Sequence, residues 1–346
     1  MKRAIAARSE LREPILQRCG SQDREPDRAM TKHVVSMNAE EKRPRNRYAD
    51  SRRNDDWTID QDWASYSAGE HDRWRRLFAR QARLLPGRAC DAFLEAKARL
   101  GLSSEQIPDF ADLSARLSAI SGWRVVPVAG LIPDEAFFDH LANRRFPAGA
   151  FIRPESELDY LEEPDVFHDI FGHVPLLADP AYAQLIEAYG KGGRRALDRG
   201  QLHNLARLYW YTVEFGLMST PAGLRIFGAG VMSSPAETIF ALDDTSPNRV
   251  AFELERVMRT KYLIDDFQQT YFVIDGFEQV LHDCYQDFGV LYDRLRAAPD
   301  IEAHEVVETD RLIAKGDFHY FAKGKAPQLS VAPPSAARAP GAEGRR

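Results

Sequence analysis

The sequence predicts a mainly α-helical body with a few short β strands. Apolar residues recur at three-to-four spacing between Gly and Pro breaks through the middle of the chain. No strand–helix alternation opens on a Gly-rich turn, which argues against a dinucleotide-binding sheet. The 346 residues are 44% hydrophobic, enough for a substantial core.

In chain order, the spacing predicts helices over 70–83, 89–100, 110–120, 133–141, 180–189, 202–217, 235–242 and 249–260, and a long one over 277–295. Short extended pieces fit 124–128, 149–153 and 224–227. Gly190-Lys191-Gly192-Gly193-Arg194-Arg195 matches no phosphate-loop spacing and reads as a helix–helix loop. Residues 1–54 are rich in mixed charge and poor in aromatics, a composition expected to stay disordered as a dispensable arm. Acidic Glu10, Glu13 and Asp23 interrupt any transit peptide, no apolar run makes a secretory signal, and Met30 and Met37 are alternative starts. Residues 326–346 form a Pro/Ala-rich tail, expected to be flexible. The folded body is therefore placed at 55–325.

A formal net charge of −6 argues against a general nucleic-acid binder. No run approaches the ~18 apolar residues of a membrane helix. Cys19, Cys90 and Cys284 form neither a disulfide framework nor a CxxC site, which suits a cytoplasmic protein.

Two histidines and a glutamate carry the most information. His168 and His173 lie in Glu163-Pro164-Asp165-Val166-Phe167-His168-Asp169-Ile170-Phe171-Gly172-His173-Val174-Pro175, and Glu214 in Tyr209-Trp210-Tyr211-Thr212-Val213-Glu214-Phe215-Gly216. Two imidazoles and one carboxylate suit a divalent first-row metal, and on one face of it they would leave the opposite positions open, as in non-haem Fe(II) oxygenases. Pro164 suits a first helical turn and Asp165 favours its positive end. On an unbroken α-helix, residues five apart point well away from each other, so the pair reaches one ion only if the chain turns at Gly172. Glu214 would approach from a second helix, and its apolar surroundings make a lone carboxylate costly without a cation. Spacing alone leaves other readings open: both histidines as hydrogen-bonded core residues, and Glu214 paired with Arg207. The remaining histidines have no partner at ligand spacing and read as structural or surface residues.

The longer strings go further. Glu163-Pro164-Asp165-x-x-His168-x-x-x-Gly172-His173-Val174-Pro175-Leu176, Tyr209-Trp210-x-Thr212-Val213-Glu214-Phe215-Gly216-Leu217, Gly228-Ala229-Gly230-x-x-Ser233-Ser234 and the upstream Val126-Pro127-Val128-Ala129-Gly130-Leu131 closely resemble the pterin-dependent aromatic amino acid hydroxylases, over about 105–290. The chain looks like a short bacterial member. The resemblance implies that family's catalytic-domain fold, with an iron site between helices. It implies Fe(II), tetrahydrobiopterin or a related tetrahydropterin, and O₂, converting L-phenylalanine to L-tyrosine in phenylalanine catabolism. His168, His173 and Glu214 match the iron ligands. Arg153 matches the clamp on the substrate carboxylate, and Asp165 its partner. Pro164 and Trp210 match walls of the amino-acid pocket. Phe137 falls where the pterin ring stacks, beside the backbone wall of Gly130, Leu131 and Ile132. Tyr209 lies beside the iron, and Ser233 matches a serine that orients the first histidine. Two departures from animal members stand out: Leu161-Glu162 replaces a Thr-Pro pair, and Asp169 replaces a glutamate. Ile264 stands where tyrosine hydroxylases carry an aspartate, which favours phenylalanine as substrate. A cytoplasmic monomer working with pterin-recycling enzymes is expected, with no nucleic-acid or membrane partner. Tryptophan hydroxylation is the alternative within the family. A zinc-type hydrolase is remote, lacking a base at HExxH spacing.

Overall fold

Ser67 opens the first long helix with a reciprocal cap: its hydroxyl accepts from Glu70 N, and the Glu70 carboxylate accepts from Ser67 N. The computed structural model describes residues 46–159, 163–284 and 287–322. Helices α1 (Ala68–Leu84), α2 (Asp91–Arg99) and α3 (Phe110–Ser121) come first in chain order. Trp74, Leu77 and Phe78 fix the inward face of α1. A left-handed Gly122 (φ 77°) closes α3 and turns the chain into β1.

Strands β1 (Arg124–Val128) and β2 (Arg145–Gly149) run parallel, joined by α4 (Asp134–Ala142). Asp179 caps α5 (Pro180–Asp198) with Pro180 at its first position. Helix α6 (Leu202–Tyr209) continues directly into a wider π-helical segment, Trp210–Glu214. There follow β3 (Leu217–Thr220), β4 (Gly223–Ile226), α7 (Ala229–Ser233), α8 (Pro235–Asp243), β5 (Asn248–Ala251), α9 (Leu254–Arg259), β6 (Thr270–Ile274), α10 (Phe277–Asp283), α11 (Phe288–Ala297), β7 (Leu312–Ala314) and α12 (His319–Ala322). The larger sheet has the order β4-β3-β6-β5-β7, with β3–β6 and β6–β5 parallel and the outer pairs antiparallel. No helix among the described residues is long and apolar enough to cross a membrane.

The mainly helical expectation holds, and several details differ for physical reasons. The 190–195 stretch is not a loop: α5 runs through it to Asp198. Its glycines serve close approach, since a Cβ at Gly190 would come within 2.3 Å of Ala142 N and one at Gly193 within 2.1 Å of Phe138. The second strand is 145–149 rather than 149–153, because β1 sets the register Arg124–Arg145 to Val128–Gly149. The predicted 249–260 helix begins with a strand, its first residues recruited to the ladder by β6. The predicted 277–295 helix is two: Asp287 accepts from Gly289 N and starts α11 afresh. The expected arm reaches into the fold at its end, where Tyr48 is 3% exposed and donates its hydroxyl to Gln61 O at 2.6 Å. Residues 1–45 of that arm, the Leu161-Glu162 pair and the 326–346 tail lie outside the described residues.

One buried acid in this scaffold gives a pH-linked prediction. Glu237, in the first turn of α8, accepts from the Tyr271 hydroxyl on β6. Burial pushes its pKa from 4.5 up to about 7, against the opposing effect of that hydrogen bond. An acid raised on folding contributes stability that is full below its unfolded pKa and lost as pH rises through the folded one, here roughly 3 kcal/mol in all. Glu237→Gln cannot ionise and should flatten the fall in melting temperature between about pH 5 and pH 8. An unchanged slope would assign that titration to another group.

Candidate metal centre

Both candidate ligand segments hydrogen-bond five residues back. His168–His173 is π-helical, and Val174 N, which closes it, donates to Asp169 O. Trp210–Glu214 is π-helical too, and Phe215 N donates to Trp210 O at 2.8 Å. An i→i+5 repeat stacks residues five apart on successive turns of one face. That, rather than a turn at Gly172, brings His168 and His173 together. Gly172 matters for packing instead, because a Cβ there would lie 2.9 Å from Ala229 O, so its bareness lets α7 lie against the π turn.

The ligand atoms converge. His173 Nε2 lies 3.2 Å from Glu214 Oε1, His168 Nε2 lies 3.6 Å from Glu214 Oε2, and the two Nε2 atoms are 3.2 Å apart. Ser233 settles one tautomer. Its hydroxyl donates its proton to Ala229 O at 2.9 Å, so the 2.9 Å contact with His168 Nδ1 requires that nitrogen to donate. The Nε2 lone pair of His168 then faces the other two side chains. Burial, with His173 adding, pushes the pKa of His168 down to about 4. Burial also opposes protonation of His173, but the Glu214 carboxylate outweighs it and raises that pKa. Two imidazoles and a carboxylate with one potential ligand atom each, all within 4.8 Å, fit a divalent metal with nitrogen–oxygen preference. The alternative Arg207 partner is occupied elsewhere: Arg207 is buried and pairs with Asp300 at 2.8 Å.

The cluster borders a cavity of about 100 Å³. Gly130, Leu131, Ile132, Phe137, Pro164, Tyr209 and Trp210 line it with the three candidate ligands. Phe137 stands edge-on to Tyr209, with ring centroids 6.1 Å apart. Trp210 stacks on Tyr262 at 4.4 Å, while its indole donates to Gln268 at 2.9 Å. Ser233, Arg153 and Asp165 stand behind the lining. Asp165 accepts from Arg153 N, Nε and Nη2 and from His168 N, all at 2.8–3.0 Å, tying the arginine to the start of the histidine segment. Burial pushes the Asp165 pKa up, but Arg153 outweighs it and holds the carboxyl below its ordinary value. Ile264 is 42% exposed and does not line the cavity.

Sequence reading gave no site role to Phe146, Gly149, Tyr189 or Asp169, all of which line the cavity. The Asp169 carboxylate accepts from Gly149 N at 2.7 Å, and burial pushes its pKa up to about 7. Its place directly after the first histidine was the available signal. Phe146 and Gly149 carried none, because only the pairing of β2 with β1 turns them toward the cavity.

The chain is similar to known proteins over most of its length. Residues 31–303 match the family described as biopterin-dependent aromatic amino acid hydroxylase. The phenylalanine-4-hydroxylase of Caulobacter vibrioides is 59% identical over 269 residues, covering 78% of this chain and 92% of that protein. That of Ralstonia nicotianae is 54% identical over 261 residues, covering 75% and 83%. The iron- and phenylalanine-bound crystal structure of phenylalanine hydroxylase from Chromobacterium violaceum is similar with a TM-score of 0.73 and 52% identity, covering 76% of this chain and 96% of that one. The cobalt-bound form has a TM-score of 0.75 and 53% identity, covering 76% and 95%. With the match spanning most of its length, the chain belongs to the biopterin-dependent aromatic amino acid hydroxylases.

Proposed function

We propose that this protein is a phenylalanine 4-monooxygenase, converting L-phenylalanine and O₂ to L-tyrosine with Fe(II) and a tetrahydropterin. The observation that carries the reading is the convergence of His168, His173 and Glu214 beside an aromatic-walled cavity, in a chain 59% identical to a phenylalanine-4-hydroxylase. His168, His173 and Glu214 hold the iron, and iron with the tetrahydropterin supplies the oxidising chemistry that an unactivated ring requires.

The chain's own work is binding, orientation and exclusion of water. Arg153, held by Asp165 through Nε and one Nη2 proton, offers its remaining Nη1 and Nη2 protons to the substrate carboxylate, where two parallel N–H donors fix direction as well as charge. Pro164 and Trp210 flank the phenyl ring. Trp210 is held against rotation by Tyr262 on its face and Gln268 on its indole nitrogen. Phe137 offers a ring face to the pterin, and the Gly130–Ile132 backbone meets its edge. Ser233 keeps His168 in the tautomer whose Nε2 can bind metal. Tyr209, buried beside His173, closes the site to water. The protein acts in the cytoplasm as a monomer, and pterin-recycling enzymes restore its cofactor.

Protein loaded with Fe(II) should form tyrosine from phenylalanine in step with tetrahydropterin oxidation, measured by amino-acid analysis. Zinc-loaded, iron-free protein should not, because a redox-inert d¹⁰ ion cannot activate O₂. Full turnover with zinc would sink the reading. Glu214→Gln should lower turnover at least about 100-fold and weaken iron binding, with the far-UV spectrum unchanged.

Arg153→Lys should raise the KM for phenylalanine about tenfold or more while leaving that for the pterin within about twofold, since a point-charge ammonium cannot reproduce a planar fork. Equal changes in both would make Arg153 a structural residue. Ser233→Ala should weaken Co(II) binding about 10- to 100-fold in a chelator competition. Unaltered affinity would show that the serine only braces Ala229.

A further inference from the structure

Two side chains far apart in sequence grip the backbone on either side of Gly130, where the Gly130–Ile132 wall begins. Asn46 Nδ2 donates to Ala129 O at 2.9 Å, across 83 residues. Glu163 Oε1 accepts from Leu131 N at 3.3 Å, across 32 residues. Gly130 sits between them: a Cβ there would come within 2.5 Å of Glu163 Oε1 and 3.6 Å of Asn46 Nδ2. The wall follows the end of β1, so no strand ladder fixes its peptide planes.

We propose that Asn46 and Glu163 are positioning residues for the pterin. On this view the segment just before the predicted folded body is part of the cofactor site. The proposal rests on the functional reading above and extends it to residues that touch only the wall.

Asn46 is more than a turn former. Its Oδ1 accepts from Tyr48 N at 2.9 Å, which accounts for the local turn, while the opposite end of the same amide reaches Ala129. The segment behind it is well anchored. Tyr48 is bound to Gln61 O, and the Gln61 amide both donates to Pro108 O at 2.9 Å and accepts from Phe110 N at 2.8 Å. Ile59 N donates to Pro127 O at 2.9 Å, and Thr58 bridges Val128. Residues 46–61 thus brace β1 lengthwise and end on the peptide that begins the wall. A fused pterin presents amide and amino groups along one edge, and backbone groups can read that edge only where their planes are fixed.

The substitutions separate holding from folding. Asn46→Asp keeps the acceptor for Tyr48 N and loses the donor to Ala129 O. Glu163→Gln keeps an acceptor for Leu131 N, and Glu163→Ala removes it. Full-length protein loaded with Co(II) is titrated with 7,8-dihydrobiopterin and, separately, with phenylalanine, following tryptophan fluorescence or heat. The Kd for dihydrobiopterin should rise about five- to tenfold in Asn46→Asp and in Glu163→Ala and stay near wild type in Glu163→Gln, with phenylalanine affinity and melting temperature nearly unchanged. Unchanged dihydrobiopterin affinity in Asn46→Asp and Glu163→Ala would overturn the proposal. So would equal losses for both ligands together with a lowered melting temperature, which would mark the contacts as merely structural. If the wild-type protein bound no dihydrobiopterin, the functional reading would fall first; wild-type binding with unaffected variants overturns only this inference.

Discussion

The site depends on two short stretches of main chain that hydrogen-bond five residues back instead of four. An α-helical geometry at 168–173 would send His173 away from His168, and no side-chain rotation would restore a common focus. Such wide turns are uncommon, and here the surroundings hold them in place. Phe167 and Phe171 stack at 4.7 Å on the buried side of the first, with Trp74 edge-on to Phe167. The second is closed by glycine: a Cβ at Gly228 would fall 2.4 Å from Glu214 O. Backbone therefore packs directly on backbone behind both ligand segments, leaving little room to relax toward ordinary helix.

Around these turns the charges are arranged in a graded way. Asp165 is fully enclosed and charged because Arg153 and two main-chain amides surround it. Asp169, four residues on in sequence, and Glu214, from the second π segment, face the cavity. Glu214 shares its surroundings with two imidazoles that cannot comfortably both carry a proton: burial keeps His168 neutral, and the Glu214 carboxylate favours the charged form of His173. A divalent cation held by these three side chains would replace that proton, which would couple its binding to pH.

Much of the site is legible in the residues alone. The strings around His168, His173 and Glu214 name a ligand set, and Arg153, Asp165, Phe137 and Trp210 follow from the family they resemble. What sequence periodicity misses is geometric. A five-residue interval measured against an α-helix demands a turn at Gly172, whereas in the fold the helix itself has widened. The five-stranded sheet is largely hidden. Leu217–Thr220 is half polar, and Asn248–Ala251 sits ahead of a helical pattern that absorbs it. The extended piece expected at 224–227 meets β4, and Thr270–Ile274, buried at every position, is a further strand that a short apolar run could disclose. Composition likewise places Asn46 and Tyr48 in the arm, because a few anchoring residues do not alter the average of a charged segment.

The Ser233–His168 contact spans 65 residues, and Glu214 leads directly into β3, whose sheet neighbour β6 lies at 270–274. The π turn alone pairs the two histidines, but the full three-residue cluster with its serine contact cannot arise from a local hairpin or a single helix. Loop closures of this length come late in folding, after their entropic cost is offset by the surrounding core. Metal uptake by a nascent or refolding chain would accordingly lag behind the appearance of helical signal and act as a gauge of completed tertiary structure. The iron would then arrive at a finished protein and have no part in directing the chain to its fold.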